Sequence, residues 1–378
     1  MAVNRDCTIA LISDLPADLC SRIIDVYRFF HHPPKIVLVT RRRSHPAKTK
    51  VIVNVEQMMV PVVAPTSQQT RKHRISAWCC VIGYLLQSLV LSRKLMHSRD
   101  RIQLVHAHFI LPQGLFGLII SRILRTPLVV TTTGTDINVI FNSSWLYQRL
   151  SLFVLKNAQT VIGVSKPICA HLSQVGLSNV VYIPNSVDVD SIPPANLGNK
   201  TILFVGTLNG NKRPLFLLRA FAQVIRRLPE AKLYIVGEGS LRLAVQEEIK
   251  SRNLQNSVNM IPHLDPNNLN KLRSLTSVFV QPSLFEGMSL AILETLASGQ
   301  LVIATRNESN SSFLDNGRTA LLFEENDCGQ LSDLIVLAFS NEALRYRISK
   351  SGRNLVRRYF SNNVVAGKLE RVYHSLTR

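Results

Sequence analysis

The chain alternates along most of its length between short runs rich in Val, Ile and Leu and longer stretches with helical spacing. In the first half the runs are TIALIS (8–13), KIVLVT (35–40), LVHAHF (104–109), PLVVTTTG (127–134), TVIGVS (160–165) and NVVYIPN (179–185). The second half repeats the scheme with TILFVGT (201–207), KLYIVGEG (232–239), VNMIPH (258–263), SVFVQPS (277–283), LVIATR (301–306) and ALLFEEN (320–326). Helical patterns at 114–124, 145–158, 214–227, 240–252 and 289–297 fall between them. Runs this short and this continuously apolar suit strands buried on both faces, and strands that alternate with helices join into parallel sheets. The pattern predicts an α/β chain of two Rossmann-like, doubly wound domains. Length agrees, because 378 residues exceed one ordinary core and 46% apolar residues can fill two. The stretch VDVDSIPPANLGNK (187–200), rich in Pro, Asn, Gly and Ser, is the expected break. It divides the chain into 1–188 and 189–360, and the last stretch, 361–378, reads as an amphipathic helix.

Charge narrows the partners. Lys and Arg number 44 against 24 Asp and Glu, a net charge of +20, which implies attraction to something anionic. Up to residue 110 the chain holds 16 basic and 6 acidic residues. The basic ones cluster at Arg41–Arg43, Lys48, Lys50, Arg71, Lys72, Arg74, Arg93, Lys94, Arg99 and Arg101, whereas a merely solubilising surface mixes signs. The uncharged segment WCCVIGYLLQSLVL (78–91) lies among these clusters. It is shorter than the roughly 20 residues needed to span a bilayer, so the choice is between a core helix and a helix lying in an anionic membrane surface. Six scattered cysteines, with no C-x-x-C pair, suit free thiols in a reducing compartment. The first twenty residues are too charged for a secretory segment. The expected location is cytoplasmic, peripheral at the inner face of the plasma membrane.

Two acids stand in the otherwise apolar stretch PSLFEGMSLAILETLASGQLVIAT (282–305). Pro282 and Gly287 keep Glu286 and Glu294 off one helix, and Ser289 can cap a helix that carries Glu294. Glu286 then sits past the carboxyl end of a strand, where open α/β sheets bind ligands. Backbone amides from Gly287 through Met288 and Ser289 to Leu290 open the following helix and suit an anion or sugar hydroxyls. Each carboxylate can accept several hydroxyl hydrogen bonds. Lys212 and Arg213 follow another strand and turn, where Gly206 and Gly210 let backbone come close to phosphate. On residue type alone, a solvated basic turn is the favoured reading of that loop.

The pattern PS-x-x-EG-x(4)-LET-x-A-x-G-x-x-V-x-AT resembles the retaining GT-B glycosyltransferases of family four. The resemblance extends over most of the chain: FVGTLNGNKRPLFLLRAF, LYIVGEGSLR, VIGVSKPICAHL and VYIPNSVDVD match family motifs, as do LVHAHFILPQG and VVTTTGTDIN in the first domain. It implies a GT-B fold whose two domains face a central cleft, with the last helix crossing back to the first domain. It also implies transfer of a hexose-type unit, with retention, from a nucleoside-diphosphate sugar. In this reading Lys212 and Glu286 are catalytic. Donor contacts come from Gly206, Thr207, Lys212, Arg213, Gly237, His263, Gly287, Met288, Ser289, Leu290 and Glu294, with Glu294 on the ribose. His108, Thr133, Gly134 and Asp136 lie on the acceptor side, and the acceptor is a glycan or a lipid-linked or envelope precursor. No metal or other cofactor is expected. The D-x-D of Asp188 and Asp190 falls in the interdomain connection and reads as structural, and His106 with His108 lacks a third ligand. Asp136 can reach an acceptor or cap its own loop.

Four departures from the family pattern stand out. Thr207 replaces a common Arg and Thr133 a common His. RNESNSSF (306–313) stands where a Gly-Gly and Pro-Glu segment is usual, and SDLPADLC (13–20) where an N-terminal Gly-Gly loop is usual. They keep open a non-catalytic nucleotide-sugar-binding subunit. A nucleic-acid-binding protein is the other alternative, against which stand the 7% aromatic content and basic clusters without interleaved aromatics.

Overall fold

The computed structural model describes residues 8–13, 25–31, 33–41, 55–60, 101–134, 136–137 and 144–377. It divides into two compact units, Met1–Ile183 with Ala366–Arg378, and Pro184–Val365. The segment 78–91, the basic clusters between 42 and 99, and the stretch 14–20 lie outside the described residues. Among the described residues no helix is long and apolar enough to cross a membrane.

Unit 1 is built on β1 (Thr8–Ile12), β2 (Lys35–Arg41), β3 (Val55–Val60), β4 (Ile102–His108), β5 (Leu128–Thr132), β6 (Thr160–Gly163) and β7 (Val180–Tyr182). All pair in parallel in the order β3-β2-β1-β4-β5-β6-β7. β1 and β5 are buried at every position, which is why their sequences show no polar alternation. Helices α1 (Leu115–Leu124), α2 (Trp145–Asn157) and α3 (Lys166–Gln174) connect the later strands. β3, with sequence VEQMMV, escapes the apolar-run pattern because Glu56 and Gln57 interrupt it. It lies at the sheet edge, where charged residues are ordinary.

Unit 2 repeats the architecture. Its strands are β8 (Thr201–Val205), β9 (Lys232–Val236), β10 (Val258–Ile261), β11 (Val278–Gln281), β12 (Leu301–Thr305) and β13 (Leu321–Phe323), parallel in the order β10-β9-β8-β11-β12-β13. Its helices are α4 (Pro214–Arg227), α5 (Arg242–Ser251), α6 (Pro266–Ser274), α7 (Leu290–Ser298), α8 (Glu308–Ser311), α9 (Cys328–Ser340) and α10 (Glu342–Tyr359). Phe204, Phe221 and Phe323 are fully buried in one apolar core with Leu217, Ile303 and Ile335. The helix α11 (Asn362–Leu376) starts in unit 2 and belongs to unit 1 from Ala366 onward.

In each unit the chain winds outward from the first strand, returns, and winds the other way. The reversal falls between β1 and β4 in unit 1 and between β8 and β11 in unit 2. Loops leaving the carboxyl ends of those strand pairs diverge and leave a crevice, the general ligand position in such sheets.

Candidate active site

The loops after β8 and β11 are zipped together at the reversal point of unit 2. The Asn211 side chain pairs with Phe285 as a strand would, its Nδ2 donating to the Phe285 carbonyl at 2.9 Å and its Oδ1 accepting the Phe285 N–H at 3.0 Å. Leu284 N–H adds a bond to the Asn211 carbonyl at 2.9 Å. Asn209 Oδ1 accepts the Lys212 N–H at 3.0 Å and tightens the turn. The result places the Lys212 ammonium on Glu286 Oε1 in a partly buried ion pair. The Lys212 stem runs past Gly206, at ordinary contact distance from where a Cβ would stand.

Glu286 is held from below. Gln281, the last residue of β11 and buried, donates from Nε2 to Glu286 Oε1 at 2.5 Å. Its Oε1 accepts from Ser289 Oγ at 2.8 Å, which fixes the amide orientation. Ser289 also caps α7, accepting the Ile292 N–H at 3.3 Å. The loop between them is pinned by its neighbours: Asn185 Nδ2 donates to the Met288 carbonyl at 2.9 Å and Ser309 Oγ to the Gly287 carbonyl at 2.6 Å. Asn307 Nδ2 reaches the Ser283 carbonyl at 3.2 Å. The divergent RNESNSSF segment therefore supplies side-chain ties to the loop that carries Glu286. Leu290 opens α7 half-buried.

Glu294 lies one turn further along α7, buried, with its Oε2 paired to Arg273 of α6. Arg273 is the bulkiest fully buried side chain described and also donates to Asn270 Oδ1 at 2.8 Å. A buried charge pair of this kind orients its carboxylate firmly and breaks at a high price in stability when one partner is removed.

The remaining donor-side residues divide. Gly237 and Gly239 serve the backbone itself: a Cβ at Gly237 would stand 1.9 Å from the Gly206 carbonyl oxygen, and one at Gly239 would stand 2.3 Å from that of Leu208. Thr207 and His263 are exposed at the carboxyl ends of β8 and β10. Arg213 is not brought to the Lys212–Glu286 group. Its guanidinium turns to the loop after β13, donating to the Glu325 carbonyl and, at 3.0 Å, to Asn326 Oδ1, and lies 4.1 Å over the Phe216 ring. Arg306 pairs with Glu324 at 2.7 Å. Asp188 Oδ1 accepts the N–H groups of Asp190 and Ser191, so the D-x-D closes a turn. Among the described residues no cluster of three His, Cys, Asp or Glu is arranged for a metal.

In unit 1 the acceptor-side residues gather at the carboxyl ends of β4 and β5. His106 and His108 lie with ring centroids 4.5 Å apart. His106 is 2.7 Å from Thr131 Oγ1 through Nε2, and its Nδ1 is 2.5 Å from the Tyr373 hydroxyl, which is 2.7 Å from that of Tyr27. Burial holds His106 well below the ordinary range, with His108 beside it adding to the effect. Burial alone lowers His108 to about 4, and its Nε2 has no hydrogen-bond partner among the described residues. Phe109, next along, is strained at φ 80°, in a region nearly reserved for glycine. Asp136 Oδ2 accepts the Thr133 N–H at 3.0 Å and its hydroxyl at 3.3 Å, which caps the loop holding buried Gly134. Burial pushes its carboxyl up to about 7.

Sequence reasoning missed Asn211, Gln281, Arg273 and Ser309. Gln281 carried a legible signal, a lone amide ending the apolar strand VFVQ. Arg273 carried none, because LNKLRS reads as a solvated helix face.

Two family models match: glycosyltransferase family 4 over residues 33–191 and glycosyl transferases group 1 over residues 188–355. The chain is 28% identical over 299 residues to the UDP-Gal:alpha-D-GlcNAc-diphosphoundecaprenol alpha-1,3-galactosyltransferase of Escherichia coli, covering 72% of this chain and 74% of that one. It is 29% identical over 210 residues to the phosphatidyl-myo-inositol mannosyltransferase of Mycobacterium leprae, covering 53% and 54%. In fold it is similar to sucrose-phosphate synthase from Thermosynechococcus elongatus, with TM-score 0.78, 18% identity and 98% and 99% coverage. It is equally similar to HepE of Anabaena in complex with UDP and glucose, with TM-score 0.78, 15% identity and 98% and 100% coverage.

Proposed function

The chain belongs to the family-four, group 1 glycosyltransferases of GT-B fold, and from that premise we propose the donor, the acceptor and the roles of its residues. The donor is a nucleoside-diphosphate hexose, with UDP-sugars the first to test, since the E. coli relative is named for UDP-Gal and HepE holds UDP and glucose. The acceptor is a hydroxyl of a lipid-linked or envelope glycan precursor. That choice follows the diphosphoundecaprenol and phosphatidyl-inositol acceptors in the names of two relatives, and the basic charge of this chain. Transfer proceeds with retention, the outcome the family motif implies.

One observation carries the reading: an ammonium and a carboxylate meet just beyond the carboxyl ends of β8 and β11, where the sheet reverses. As the glycosidic bond breaks, the sugar gains oxocarbenium character and the departing diphosphate gains negative charge. Lys212 stands where it can meet that charge, and the amides that open α7 add partial positive charge nearby. Glu286, held by Gln281, accepts hydroxyls of the transferred sugar and orients its ring. Glu294, fixed by Arg273, accepts ribose hydroxyls. Lys212 supplies the positive charge in this scheme, so the proposal needs no metal and activity should survive chelation.

Melting temperatures measured across a panel of UDP- and GDP-hexoses would identify the donor, because a ligand bound only by the folded chain raises the transition. With that donor, Lys212→Ala and Glu286→Gln should each lower turnover by about a hundredfold or more, the usual effect of deleting one preorganised group. Near-full turnover in either variant, with its melting point unchanged, would remove that residue from the site.

A further inference from the structure

The outward face of α2 is apolar and basic at once. At about 100° per residue, Trp145, Leu146, Arg149, Phe153 and Lys156 fall within one arc of about 100°. Trp145, Leu146 and Phe153 are 64%, 59% and 55% exposed, and Arg149 and Lys156 are exposed beside them. Ser151, Val154 and Leu155 bury the opposite side against unit 1. More than half of each of these three side chains is therefore left facing solvent. The helix contains no acidic residue. Its far end is extended by Arg122 of α1, whose guanidinium donates to Asn157 Oδ1 at 2.6 Å.

Three large apolar side chains and three cations, with no acid on the helix itself, are a poor surface for water and a good one for a membrane interface. Arg149 lies 4.4 Å over the Trp145 ring, so its charge is carried at the level of an aromatic ring that favours the headgroup boundary. A helix of 13 residues cannot span the hydrocarbon. It can lie flat, with Trp, Leu and Phe in the acyl boundary and Arg and Lys on anionic headgroups.

We propose that α2 is the membrane-docking face of this protein and that its partner is an anionic lipid bilayer. The inference rests on the lipid-linked acceptor proposed above and adds to it the surface that brings unit 1 to that acceptor.

Trp78 and Trp145 are the two tryptophans, so Trp78→Phe in the full-length chain makes Trp145 the sole fluorescent reporter. The probe is vesicles of phosphatidylcholine with about a third phosphatidylglycerol, against pure phosphatidylcholine. Trp145 emission should shift to the blue on the anionic vesicles only. Leu146→Ser with Phe153→Ser, or Arg149→Glu with Lys156→Glu, should each weaken partition by about tenfold or more. Thermal unfolding and hydrolysis of soluble donor should stay unchanged. If vesicles bind while Trp145 emission stays fixed and both double variants bind normally, α2 is not the docking face, although a membrane acceptor still stands. If the chain ignores vesicles and transfers readily to a soluble glycan, the acceptor reading fails with it. Concentration-dependent self-association abolished by the same variants would make the face a protein interface and overturn the proposal.

Discussion

Arg273→Met tests whether the carboxylate proposed to hold the ribose is oriented by a buried charge. The substitution keeps most of the side-chain volume and removes the guanidinium. Arg273 is 1% exposed and Glu294 10%, so the acid loses its charged partner without gaining bulk water in exchange. Removing one partner of a buried pair costs about 3–5 kcal/mol, far more than the pair itself is worth against an apolar replacement. Unit 2 spans roughly 180 residues, and a domain of that size loses about 2–4 °C of melting temperature per kcal/mol. The unit 2 transition should therefore fall by about 6–20 °C. Differential scanning calorimetry on the full-length chain reads this directly. Combining the change with Glu294→Leu removes the unbalanced buried carboxylate and should recover most of the loss, while the nucleotide-induced stabilisation that Glu294 is proposed to support should fall. The reasoning is refuted if Arg273→Met melts within about 3 °C of the parent, or if the double variant is no more stable than the single one.

Gly237→Ala places a Cβ against a backbone oxygen that cannot retreat, and should destabilise unit 2 by about 3 kcal/mol or more. Gly210→Ala meets open space and should stay within about 0.5 kcal/mol; chemical denaturation compares the two. Asn211→Ala unzips the loops that carry Lys212 and Glu286. It should cost about 1–3 kcal/mol in the same assay and lower turnover of the donor more than its apparent affinity. Unit 1 holds opposed titrations, and His106, also lowered by burial, adds to the loss on the acid side. His108, lowered from 6.5 to about 4, gains a proton on unfolding between those values, so its contribution is lost as pH falls from 6.5 toward 4. Asp136, raised from 3.8 to about 7, contributes fully below 3.8 and loses that contribution as pH rises through 7. Urea midpoints from pH 4 to 7 should show Asp136→Asn steepening the acid loss of stability and His108→Asn flattening it, each by about 1.4 kcal/mol per pH unit.

The strands were legible wherever burial on both faces left an uninterrupted apolar run, as in TIALI and TILFV. β3 was not, because an edge strand is free to carry Glu56 and Gln57. Lys212 and Glu286 could be found because each lies in a loop whose glycines and prolines mark a strand end. Nothing in the sequence indicated that the two would touch, since they are 74 positions apart and Asn211 makes the connection. Arg213 goes elsewhere for the opposite reason. It is adjacent to Lys212, yet its left-handed backbone ahead of α4 turns it to another loop. Chain neighbours diverge wherever φ changes sign, and no count of charges reveals where that happens.

The path of α11 bears on how the chain can mature. Residues 366–378 complete unit 1, where Tyr373 meets Tyr27 and His106, yet they are synthesised only after the whole of unit 2. Unit 2 is contiguous and can close while synthesis continues. The half that is made first must wait with an open seam for the whole of the other half to be translated. A fragment cut after residue 183 would carry that seam permanently, whereas the excised segment 184–365 would lack none of its own parts.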